Sequence, residues 1–158
     1  MKRLPIGKQD FNNLITSDCI YVDKTEYLLQ LIETTAPIFL SRPRRFGKSL
    51  MVTTFRELFL GNKDLFQRTY AYYHWDFEKT HPVLHLDLSL VRGESKEIIS
   101  EKLLELVYNA AEDAGISIKE TDNPDIALSR LIRKAGQETR AVILIDEYDT
   151  PILDNLYG

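Results

Sequence analysis

Cysteine is almost missing from this chain: Cys19 stands alone, which excludes an internal disulfide and a multi-cysteine metal site and makes a reducing compartment the simple inference. Long apolar runs are missing too. No window approaches the roughly 18 apolar residues of a membrane span, and none follows Met1-Lys2-Arg3-Leu4-Pro5, so the expectation is a cytoplasmic protein with no membrane contact. Nor is there an excess of one charge. Twenty Lys and Arg against 24 Asp and Glu give a formal net charge of -4, which speaks against a surface given over to nucleic acid. Histidine is scarce: of the three, only His81 and His85 lie close, in a predicted turn and strand where they are too far apart to chelate one ion comfortably. No Ser-His-Asp or Cys-His spacing suggests a nucleophile. Repeats, low-complexity tracts and convincing linkers are likewise absent, leaving 158 residues with 44% hydrophobic content, enough for one domain with a core.

What is present reads as alternating elements. Residues 1–20, with Pro5, Gly7 and Asn12-Asn13, form an irregular lead-in with a short helical turn around Phe11 to Ile15. Asp23-Lys24-Thr25-Glu26 has capping-box spacing, which places Asp23 at the N-cap of a helix carrying Tyr27, Leu28, Leu31 and Ile32. Ile38-Phe39-Leu40 predicts a short strand buried on both faces. A helix after Lys48 places Leu50, Met51, Phe55, Leu58 and Phe59 at three- and four-residue intervals and stops at Gly61-Asn62. The aromatic-rich stretch from Lys63 to Thr80 packs over the core; its few interleaved cations make a poor nucleic-acid signal. Pro82 to Ser89 predicts a strand with Asp87 near its carboxyl end, where ligands of open parallel sheets collect. Gly93-Glu94-Ser95 introduces a helix that breaks near Gly115. Asn123 and Pro124 start another, which stops at Gly136. Ala141 to Ile145 is a near-continuous β-branched run, hence a core strand covered on both faces, ending in Asp146-Glu147. Strand, helix, strand, helices, strand is an α/β order and predicts a three-layer arrangement around a parallel sheet.

The chemistry concentrates in Phe39-Leu40-Ser41-Arg42-Pro43-Arg44-Arg45-Phe46-Gly47-Lys48-Ser49-Leu50. An apolar lead-in, a basic turn and Gly-Lys-Ser opening a helix supply the context of a phosphate-binding loop. Arg42 stands where the usual pattern has its first glycine, so the Walker A match is incomplete. Backbone amides from Arg44 towards Ser49 would cradle phosphate oxygens at the helix N-terminus, and Arg44 and Arg45 add charge there. Gly47 admits close backbone approach. Lys48 would reach β- and γ-phosphates, and the Ser49 hydroxyl would sit in the shell of a magnesium ion. About 100 residues on, Asp146 would hold that ion through a water, and Glu147 would orient or deprotonate the attacking water.

These blocks, with Leu4-Pro5-Ile6-Gly7, Tyr21-Val22-Asp23-Lys24-Thr25 and Leu144-Ile145-Asp146-Glu147-Tyr148-Asp149-Thr150-Pro151, resemble the predicted AAA-ATPase-like family of bacteria and archaea over nearly the whole chain. The arginine-rich loop without the first glycine is part of that family's pattern. The resemblance implies a P-loop NTPase of the AAA-like additional-strand, catalytic-glutamate class, with ATP and Mg2+ as ligands. Residues 1–36 would be its helical lead-in and 37–158 a partial ATPase core. It implies Walker A roles for Gly47, Lys48 and Ser49, a Walker B magnesium role for Asp146 and a catalytic-base role for Glu147. Arg44, Arg45, Phe46 and Leu50 complete the expected nucleotide-binding loop. Members commonly continue into further ATPase elements and a restriction-endonuclease-like domain. In that class a later strand lies between the Walker A and Walker B strands, so the expectation is an N-terminal part, truncated after the Walker B strand and completed by a protein partner or oligomer. The leading function is ATP binding with Mg-dependent hydrolysis; the alternatives are a nucleotide-dependent interaction module or an inactive fragment.

Overall fold

A computed structural model describes residues 3–34, 36–41, 46–93 and 95–149. The chain divides into two compact units, Met1–Thr80 and His81–Gly158.

The first unit is helical. Asp10 caps α1 (Phe11–Thr16), its Oδ1 accepting the Asn13 N–H at 2.8 Å. Next come α2 (Thr25–Ile32), α3 (Lys48–Phe59), a 3₁₀ turn at Lys63–Phe66 and the single-turn α4 (Ala71–His74). The core gathers Phe11, Leu58, Phe66, Ala71 and Phe77. Phe11 packs on Phe66 with ring centroids 4.8 Å apart and meets Tyr21 edge-on at 5.1 Å. Trp75 Nε1–H donates to the Leu58 carbonyl at 3.1 Å. The aromatic stretch therefore packs over α3 as its composition predicts, and only part of it, notably Tyr73, is strongly exposed.

The start of α2 differs from the expected capping box. Lys24 occupies the N-cap position and makes no side-chain cap. Asp23, one residue earlier, accepts the Thr25 N–H through Oδ1 at 2.9 Å and the Tyr70 N–H through Oδ2 at 2.7 Å. Thr25, fully buried, accepts the Ala71 N–H at 2.9 Å. A carboxylate with two acceptor oxygens satisfies two unpaired donors, one at each helix start, better than a reciprocal box satisfies one helix. The tertiary demand displaced the local pattern.

The second unit is α/β. β1 (Val83–Asp87) runs through a 3₁₀ turn at Leu88–Leu90 into α5 (Lys96–Asp113), α6 (Pro124–Ala135) and β2 (Val142–Asp146). β1 and β2 pair in parallel, Val83 opposite Val142 through Asp87 opposite Asp146. The predicted starts hold: Ser95 Oγ accepts the Ile98 N–H, and Asn123 Oδ1 accepts those of Asp125 and Ile126, with Pro124 in the first turn. Leu84 and Leu86 pack under both helices with Val107, Ala111, Ala127 and Leu131. Alanines at the crossing let the two helices approach each other and the sheet closely.

Two strand expectations change. Residues 36–41 form no strand; Ile38 and Phe39 are exposed rather than buried on both faces. An extended segment becomes a strand only with a ladder partner, and the described sheet consists of β1 and β2 alone. β2 is also less covered than a β-branched run predicts. Val142 and Leu144 are half-buried while Ile143 and Ile145 remain 40% and 51% exposed. The parallel register puts those isoleucines on the same face as Leu84 and Leu86, but the helices bury β1's side of it.

Candidate functional site

In the first unit the site is the start of α3. Gly47 takes the left-handed conformation, φ 76° and ψ 27°, and its carbonyl accepts the Met51 N–H at 3.0 Å, closing the first helical turn. A helix leaves its first amides without internal partners. Gly47 has no side chain to cap those of Lys48, Ser49 and Leu50, and no acidic residue lies in the first turn. The helix field at such an end favours negative charge. A Cβ added at Gly47 would meet no atom of the described residues within 4 Å beyond its chain neighbours.

Lys48 and Ser49 are half-buried. Lys48 forms no ion pair with any carboxylate among the described residues. Phe46 is exposed, and Leu50 turns inward to pack against the aromatic core. Arg44 and Arg45, also expected in the loop, lie outside the described residues.

No local residue pattern signals what anchors α3. Thr53 Oγ1 accepts the Phe11 N–H at 3.0 Å, and Arg56 Nη2 lies 2.8 Å from both Asp10 Oδ2 and Glu57 Oε1. Asn62 donates to the other oxygen of the buried Glu57 at 2.6 Å. Burial acts to lower the Arg56 pKa, but the Glu57 and Asp10 carboxylates outweigh it and hold the pKa above its usual value. The short helical turn around Phe11 was readable from the residues; its cap by Asp10 and the pairing of Asp10 with Arg56, 46 residues away, were not. Nearby, burial is the largest cause of the Tyr21 phenol's rise to about 12, with the Asp23 carboxylate adding to it and hydrogen bonds from Thr54 and the Lys24 backbone opposing it.

In the second unit the candidate residues leave the carboxyl end of β2. Asp146 is buried, and its Oδ1 accepts the Glu147 N–H at 3.0 Å. Glu147 is one of two non-glycine residues with positive φ among the described residues, 51°, a conformation costing about 1–2 kcal/mol for an L-residue. The bond from Asp146 offsets part of that cost and fixes the turn in which the Glu147 carboxylate departs. Asp87 stands opposite Asp146 in the register, but its Oδ1 is occupied as a cap on the Ser89 N–H at 2.9 Å. His85 shares that strand, and His81 Nδ1 bonds the Arg140 carbonyl. Among the described residues no cluster of three His, Cys, Asp or Glu side chains is placed to hold a metal.

By class, then, this is an α/β protein with a parallel strand pair ending in carboxylates and a glycine-led, uncapped helix start. The chain belongs to the predicted AAA-ATPase family, whose profile matches residues 5–158. It is 43% identical over 159 residues to an uncharacterized protein in the vnfD 5' region of Azotobacter chroococcum mcd 1; the match covers 98% of this chain and 30% of that protein's length. No solved structure matches the chain. Among the described residues no helix is long and apolar enough to cross a membrane.

Proposed function

We propose that the chain binds ATP with magnesium through the N-terminus of α3 and hydrolyses it to ADP and phosphate. The observation that carries this reading is the start of α3, which has no side-chain cap: left-handed Gly47, three amides without partners inside the helix and a half-buried Lys48 that forms no ion pair among the described residues. Under it, the amides from Phe46 to Leu50 grip phosphate oxygens, with Arg44 and Arg45 adding positive charge. The Lys48 ammonium compensates charge that grows on the β- and γ-phosphates as the bond to the transferred phosphoryl group loosens. Ser49 and Asp146 are the oxygen ligands assigned to magnesium, which supplies charge neutralisation across the phosphates. The Glu147 carboxylate orients the attacking water and accepts its proton. The fold assigned with this reading is the three-layer P-loop NTPase of the AAA-like, catalytic-glutamate class, with residues 1–36 as lead-in and 37–158 as ATPase core.

Steady-state phosphate release by the intact protein, Lys48→Ala and Glu147→Gln tests the assignment. Both variants should lose at least about tenfold in rate, the order expected when one charge-stabilising or proton-accepting group is removed. Glu147→Gln should still bind ATP. Equal rates in all three proteins defeat the proposal.

A second reading, nucleotide binding without turnover by a module that needs a protein partner, is favoured by the exposure of Ile143 and Ile145 on the strand that leads to Asp146. It predicts that a non-hydrolysable ATP analogue binds while phosphate release stays at background.

A further inference from the structure

We draw no further inference here: the strongest candidate, the apolar ribbon where the Arg3 segment lies alongside Cys19 and leaves Leu4, Ile6, Ile20 and Val22 exposed, carries none because nothing in the structure shows what covers it.

Discussion

At the level of single residues, Gly47 and Tyr21 separate two kinds of physical demand. The demand at Gly47 is conformational, because its φ of 76° is strained for any residue with a Cβ while no described atom beyond its chain neighbours lies within 4 Å of that Cβ. Gly47→Ala should therefore cost only about 1 kcal/mol of stability; under the proposed function it should weaken ATP binding by more, since the added methyl crowds the proposed phosphate seat. Thermal unfolding set beside titration with a fluorescent ATP analogue checks this; unchanged affinity would remove Gly47 from the phosphate seat. At Tyr21 the demand is solvation. Its pKa rises from 10.0 to about 12 in the folded protein, so the folded state holds the phenolic proton more tightly than the unfolded chain. The resulting stability is fully present below about pH 10 and is lost as pH climbs through about 12, with the slope running downward because the unfolded chain binds fewer protons there. The whole effect is about 2–3 kcal/mol at 1.36 kcal/mol per pKa unit. Urea unfolding at pH 9 and pH 11.5 should show a smaller alkaline loss for Tyr21→Phe than for the unmodified chain. Parallel losses would show that the phenol is not desolvated.

At the level of elements, sequence reading succeeded where the signal was local and failed where a distant partner decided. Asn123-Pro124, Ser95 and Gly61 each act on their own helix end, and each stands where its chemistry put it. The end of α3 is a Schellman motif: the Asn62 N–H reaches the Glu57 carbonyl and the Gly61 N–H reaches that of Leu58. Here space and conformation act together, since a Cβ on Gly61, at φ 80°, would lie 2.8 Å from the Phe77 carbonyl oxygen and 2.8 Å from Thr80 Cγ2. Gly61→Ala should consequently destabilise by about 2 kcal/mol or more, the left-handed cost plus steric displacement, against about 1 kcal/mol at Gly47. Urea unfolding midpoints of the two variants give the comparison directly. Asp23 shows the opposite case: expected at the N-cap, it lies one residue before it, with one oxygen on the Thr25 N–H and the other on that of Tyr70, 47 positions away. Ile38-Phe39-Leu40 carries strand-forming residues, but residue preference supplies no ladder partner, so none of its pattern became a strand.

For the whole molecule, an α/β order with strands near 83–87 and 142–146 in a parallel sheet and the placing of Gly47-Lys48-Ser49 at a helix start were legible, because periodicity and turn chemistry encode them, whereas the direct pairing of the two strands was not. The depth of burial was not. A continuous β-branched run predicts two covered faces, yet how much of each face is covered depends on what packs there, and periodicity does not carry that. Ile143 and Ile145 make the difference measurable. They share a face with Leu84 and Leu86, of which Leu84 is fully buried, but are 40% and 51% exposed. An apolar strand of this kind, with a single ladder neighbour among the described residues, favours association between molecules. Ile145→Lys should reduce concentration-dependent association in sedimentation velocity while leaving the circular dichroism spectrum unchanged and stability within about 0.5 kcal/mol, as for a surface substitution. Leu84→Ala, one strand over on the same face, should cost about 2–5 kcal/mol because it opens a cavity beneath α5 and α6. Similar destabilisation by both changes would mean that Ile145 is as buried as Leu84 in solution, and β2 would then be the two-sided core strand its composition predicts.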